Sequence, residues 1–148
     1  MRDTYLCDTC GSIPRQRARQ HILDKYIPEW PSQLIHESSP SNDFISRRCS
    51  NYSCSQFLEG VASGSEENGI RCENLEKLTF DDESFDLVIT QDVMEHVYSP
   101  QAAFNSILRV LKVGGAHVFT APKHRGLVSS YSRILVTENG VEHLHEPE

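Results

Sequence analysis

From Asn74 to Pro122 the chain reads as strand, helix, strand, and no other stretch restricts the fold as strongly. Phe85 to Thr90, FDLVIT, is an unbroken apolar run with the length and β-branched content of a strand buried on both faces. Ser99 and Pro100 mark a helix start, because serine can accept from free amides and proline fits the first helical turn. Phe104, Ile107, Leu108 and Leu111 recur at helical spacing and predict one apolar stripe. Gly114 and Gly115 are expected to stop that helix. A second short buried strand, AHVFTA, ends at Pro122. Two buried strands joined by an amphipathic helix predict a right-handed crossover in a parallel sheet, and so an α/β fold.

The same residues carry a resemblance. NLEKLTFDDESFDLVITQDVMEHV, followed by LKVGGAHVFTAP, resembles the central segment of class I S-adenosylmethionine-dependent methyltransferases, of the type 11-like kind. The likeness is strong over these stretches and looser over everything from Leu34 onward. It implies a Rossmann-like, doubly wound, mainly parallel sheet with flanking helices. It also implies that S-adenosylmethionine lies across the carboxyl ends of the strands, where open α/β sheets bind ligands.

A chain of 148 residues is long enough for one core and too short for two. Residues 1–31 read as a CxxC turn and helix, 32–122 as the cofactor-binding core and 123–148 as a terminal hairpin. The net charge of −7 offers no overall basic footprint for nucleic acid, though a local patch is compatible with it. No signal peptide is recognisable and no apolar run approaches membrane-spanning length, so the expectation is a soluble, cytoplasmic protein without membrane partners. Five irregularly spaced cysteines suit a reducing compartment better than a disulfide framework.

Near the amino terminus, Cys7 and Cys10 followed by Gly11 have the shape of a zinc half-site, since two thiolates on a tight turn can take adjacent tetrahedral positions. Closing it needs a second pair, and Cys49 and Cys54, five apart, are the nearby candidates. The alternative is two reduced thiols in a turn. Ser12 and Pro14 then start a helix whose Ala18, Ile22, Leu23 and Tyr26 predict an apolar stripe, with Arg15, Arg17 and Arg19 toward solvent. The arginines read as a solvated face or as a contact to an acidic substrate.

Gln33 to His36 predicts the first strand. The resemblance implies that an acid followed by alternating glycines comes next, because small residues let the backbone approach the cofactor. Here the stretch is HESSPSND. Glu37 stands at the acid position, Ser39 and Ser41 at the first two glycine positions and Asp43 at the third. Serine disfavours positive φ, so the backbone path of this loop is expected to differ from the family's.

The second strand is predicted at Asn51 to Ser55. The family ends it with an acid for the ribose hydroxyls; alignment puts Gln56 there, which can accept from one hydroxyl and donate to the other. Phe57 is a candidate for the adenine face or a simple core residue. Gly60 to Gly69 reads as a polar surface loop. Ile70 to Glu73 predicts a third strand leading to Asn74, where the family often has an aspartate for the adenine amino group. The side chain of Asn74 and the amide of Leu75 would read the ring edge.

After the central strand comes QDVMEHV, Gln91 to Val97, where methyl group and substrate would meet. Gln91 is taken as a cofactor contact. Asp92, Glu95 and His96 have the acid, acid, histidine spacing of certain metal-dependent members, which acts on RNA or catechol-like acceptors, and His143 or His145 would add a ligand for magnesium or manganese. The same EH pair also occurs in members without metal, where it makes local hydrogen bonds. For a hydroxyl acceptor a base is needed; His96, with Glu95, is the first candidate, and His36, His117 and His124 follow.

Near the end, RILVTE and VEHL flank Asn139 and Gly140, a hairpin signal. The CGS, HESSPS and EHL segments also resemble a bacterial branch of the superfamily in which more sequence follows, so a sheet truncated at its carboxyl-terminal edge is expected. Such an edge would favour pairing with a second copy. The sequence therefore leads to a methyltransferase with S-adenosylmethionine and a small-molecule acceptor. A non-catalytic module of the same fold and a metal-dependent O-methyltransferase are the alternatives.

Overall fold

The computed structural model describes residues 5–122, 134–137 and 140–144. In chain order these form α1 (Pro14–Tyr26), β1 (Ile35–Ser38), β2 (Tyr52–Ser55), β3 (Glu66–Glu67), β4 (Ile70–Arg71), β5 (Phe85–Gln91), α2 (Pro100–Val110), β6 (Leu111–Thr120), β7 (Ile134–Thr137) and β8 (Gly140–His143). β2, β1, β5 and β6 lie side by side in that order, all parallel. Gln56 bridges Cys72 in the parallel sense beyond β2, which carries the sheet one pair further. This is the Rossmann-like α/β architecture, a mainly parallel sheet flanked by helices.

Alternation along the two central strands sends side chains to two cores. Ile35, Leu87 and Ile89 pack with Leu23 of α1, Trp30, Ile45 and Cys49 on one face. Val88 packs on the other with Leu75, Leu78, Met94 and the α2 residues Ala103, Ile107 and Val110. Covering both faces explains why FDLVIT is apolar without a break.

α1 departs from the predicted stripe. Ile13 is its N-cap, its amide donating to Gln16 Oε1 at 2.9 Å, and Pro14 opens the helix. Arg19 and Leu23, one turn apart, are the buried pair, while Ala18, Ile22 and Tyr26 face outward. The helix is turned this way because Leu23 meets Trp30 and Ile35 while Arg19 finds a carboxylate under it.

In α2 the Ser99 hydroxyl accepts from the Ala102 amide, and Pro100 takes the first turn, as expected. The buried face is Ala103, Ser106, Ile107 and Val110, with Leu108 72% exposed. Small residues let the helix lie close on the sheet, while Phe104 sits edge-on to His117 and Phe119. Gly114 and Gly115 do not stop this helix, which already ends at Val110. Leu111 pairs with Phe85, the chain bulges, and pairing resumes at Leu87 with Ala116. Gly114 has φ +83° in this bulge, and a Cβ on Gly115 would meet Lys112 O at 2.9 Å.

The 60–69 segment is more than a surface loop, since Glu66–Glu67 pairs antiparallel with Ile70–Arg71. The first half of the predicted third strand is thus the return arm of a small hairpin, while Cys72 bridges Gln56 in the parallel sense. β7 and β8 form the expected terminal hairpin as a two-stranded sheet of their own.

Candidate functional site

The carboxyl ends of β1 and β5 and the turn after β4 surround a cavity of about 120 Å³. Ser38, Ser39, Phe57, Asn74, Leu75 and His96 line it together with Glu73, Val93, Val97 and Tyr98. Five sequence candidates, Ser39, Phe57, Asn74, Leu75 and His96, are therefore brought to one place.

The backbone at this edge is unusual. Ser39, at the first glycine position, adopts φ +53°, and its amide donates to Ser55 O at 2.7 Å. The loop thus takes a left-handed turn without glycine at Ser39, contrary to the expectation from serine's preference. Asp92, just past β5, has φ +55°. Left-handed non-glycine residues at the exits of two neighbouring strands store strain where function is concentrated in other folds.

Asn74 caps a short 3₁₀ turn, its Oδ1 accepting from the Glu76 amide at 2.9 Å. That oxygen is already engaged, while Leu75 opens the turn, where amides lack partners within the helix. Glu73, just before, was missed in the sequence although it ends the predicted third strand. It is buried and accepts from Ser63 Oγ, Arg71 and both the amide and hydroxyl of Thr79. Burial pushes its carboxyl up, but the Thr79 and Arg71 contacts outweigh this and hold it below the usual glutamate range. Glu76 accepts from the Tyr98 amide at 2.6 Å and ties the turn to the segment before α2.

Other candidates lie elsewhere. Glu37 points to the α1 face, where its Oε1 accepts from Arg19 at 2.6 Å and its Oε2 from Tyr52 at 3.0 Å. Strand alternation decides this: Ser38 faces the cavity, so Glu37 cannot. Burial raises the Glu37 carboxyl pKa, against the opposing pull of Arg19 and Tyr52. Gln56 is held in the sheet by its backbone, donating to Arg71 O and accepting from Glu73 N. Ser41 Oγ accepts from Gln16 and from Gln91, each at 3.1 Å, and lines a different cavity. Gln91 is buried, with Oε1 lacking a partner among the described residues.

Asp92, Glu95 and His96 do not converge. Asp92 is bound to Arg15 at 2.7 Å and accepts from Thr120 Oγ1 at 3.0 Å, while Glu95 is exposed and does not line the cavity. Among the described residues no three His, Cys, Asp or Glu side chains group as metal ligands. His143 is described only through its backbone, and His124 and His145 lie outside the described residues.

Cys7 and Cys10 sit on a turn closed by the Gly11 amide to Cys7 O at 2.8 Å. Amides of Cys10 and Thr9 draw the Cys7 thiol down to about 7. Cys49 is buried and donates to Gln33 O, so it does not complete a site with them.

Residues 49–119, from the end of the loop after β1 to β6, match the family model described as a methyltransferase domain. Over this segment, just under half of its length, the chain is similar to that family. No curated protein matches it significantly. The matched segment contains Phe57, Asn74, Leu75 and His96, whereas β1 and its serine loop precede it. Of the chain's histidines, His36 is fully buried between Ser53 Oγ and Ser55 Oγ, each at 3.0 Å, and burial brings its pKa down to about 4. His117 bonds Thr90 Oγ1 at 2.9 Å and is likewise lowered to about 4 by burial. Both are held in the sheet, which leaves His96 as the histidine at the cavity among the described residues. No helix among the described residues is long and apolar enough to cross a membrane.

Proposed function

We propose that this chain binds S-adenosylmethionine and methylates a small-molecule acceptor. The observation that carries the reading is the cavity at the carboxyl edge of the parallel sheet, within the family-matched segment. In open α/β sheets this edge is where ligands bind.

The residues suit the adenosine end of the cofactor. Phe57, 62% exposed, offers an aromatic face, Val93 and Val97 add apolar walls, and Asn74 with the Leu75 amide provides polar groups for a ring edge. The bound cofactor supplies an electrophilic methyl group on a sulfonium. Ser39 keeps the backbone of the β1 exit turned beside the cavity. His96, the histidine at the cavity among the described residues, is proposed to take the acceptor's proton. Glu37, held by Arg19, and Asp92, held by Arg15, act by fixing the walls.

A second reading, a binding module that does no chemistry, is favoured by size. A cavity of about 120 Å³ lies below the roughly 300 Å³ at which ligand pockets begin. Calorimetric titration with S-adenosylmethionine and S-adenosylhomocysteine tests both. Binding in the micromolar range supports the cofactor site. Absence of binding to either ligand overturns it, and binding without turnover over a panel of acceptors favours the module.

A further inference from the structure

A larger cavity, of about 590 Å³, lies between the first half of α1 and residues 41–48. Four arginines line it, Arg17, Arg19, Arg47 and Arg48, against one acid, Asp43. In a chain of net charge −7 this is a local reversal of sign. Two of the four are neutralised, Arg19 by Glu37 at 2.6 Å and Arg47 by Asp43 at 2.5 Å. Arg17 donates to the carbonyl and hydroxyl of Ser12. Arg48 lies over the rings of Trp30 and Phe44, at 5.0 and 5.1 Å. Neither has a carboxylate partner among the described residues.

A further observation points to a ligand. Arg19 is only 3% exposed, yet its Nε has no acceptor among the described residues. Gln20 Oε1, on the next residue of the same wall, lacks a donor among the described residues. Buried polar atoms are nearly always paired, so an orphaned N–H in a cavity wall calls for an acceptor from outside.

We propose that this cavity binds a small molecule carrying an oxyanion, carboxylate or phosphate, on an apolar body. Guanidinium groups match both anions through paired N–H donors. The half-exposed Phe44 ring beside Arg48 supplies the apolar surface. The volume falls within the roughly 300–1,000 Å³ of small-molecule sites. A nucleic-acid backbone is disfavoured, since the remainder of the chain is acidic and would repel it. Resting on the methyl-transfer reading, the anion is the handle by which the acceptor is held. Residues 38–43 wall both cavities, with Ser38 and Ser39 on one and Ser41 and Asn42 on the other.

The test titrates the whole chain with benzoate, phenyl phosphate and neutral benzamide, and separately with S-adenosylhomocysteine. At least one anion should bind saturably, with benzamide weaker by about tenfold or more. Which anion binds tighter decides between carboxylate and phosphate. Arg17→Gln and Arg48→Gln should each weaken the anion, and Asp43→Asn, which frees Arg47, should tighten it. The gain from Asp43→Asn guards against reading a damaged fold as lost binding. Equal affinity for benzamide, no saturable anion binding, or arginine variants that melt like the parent and bind as tightly overturns the proposal. Anion binding without S-adenosylhomocysteine binding leaves this site standing and removes the methyl-transfer reading; the opposite pattern removes only this site.

Discussion

Arg19 Nη1 lies 2.6 Å from Glu37 Oε1, with the two side chains 2% and 0% exposed. The pair fastens α1 to β1 one residue before the chain turns past the cavity edge. Removing one partner of a buried pair strands the other charge at a cost of about 3–5 kcal/mol. Arg19→Met should therefore lower the melting temperature clearly, while Arg19→Met with Glu37→Leu should recover much of the loss. The sign with pH follows from burial, which raises the Glu37 pKa. Without Arg19 the protonated form is favoured in the fold, so the variant should be least impaired below the ordinary glutamate pKa and weaken as pH rises through the raised one. A single variant as stable as the parent at neutral pH would contradict this.

Ser39→Gly should stabilise the fold. A serine at φ +53° is in a region that costs an L-residue about 1 kcal/mol or more and glycine far less. Glycine's greater freedom in the unfolded chain offsets part of that gain. Chemical denaturation should show a higher midpoint with an unchanged slope; a lower midpoint would mean that the Ser39 side chain matters more than its backbone.

His36 makes stability depend on mildly acidic pH. Its pKa falls from 6.5 to about 4 on burial, so the unfolded chain takes up the proton first as pH drops. The contribution is complete above 6.5 and lost as pH falls toward about 4, amounting to about 3 kcal/mol. His36→Asn should flatten the melting curve across that window. His117 contributes in the same direction, so some slope should remain.

Gly64→Ala should be destabilising by about 1–3 kcal/mol. Gly64 has φ +84°, and a Cβ there would stand 2.6 Å from Thr79 Oγ1, the hydroxyl that donates to Glu73. Because Glu73 lines the cavity, the variant should also weaken S-adenosylhomocysteine. Calorimetry on folded Gly64→Ala protein with parental affinity would separate this turn from the site.

Phe57→Ala should weaken S-adenosylhomocysteine by about tenfold, in line with about 1–3 kcal/mol for a base stacked on an aromatic ring, and leave melting nearly unchanged. Exposure of 62% in the free chain makes the second half of that expectation firm. A loss of stability without loss of affinity would place Phe57 in the core instead.

The local signals that survived folding are those whose physics is local. Ser99 and Pro100 start α2 because a cap needs only its own first turn, FDLVIT is a strand because it is apolar on both sides, and the signals around Asn139 flank a hairpin. Phe57, Asn74 and His96, read from their spacing as candidates, line one cavity. Which face of a helix is buried, by contrast, depends on what stands opposite. Nothing in RQRARQH says that Arg19 will meet Glu37 while Ile22 and Tyr26 face outward. A one-residue difference along β1 puts Ser38 at the cavity and Glu37 behind it, and Asp92 chooses Arg15 and Thr120 over its neighbours Glu95 and His96. The sequence by itself determined the parallel α/β order, since periodicity and caps are written in adjacent residues. Tertiary structure alone decided which charges pair and which side chains reach each cavity, because those contacts join residues that only the fold brings together.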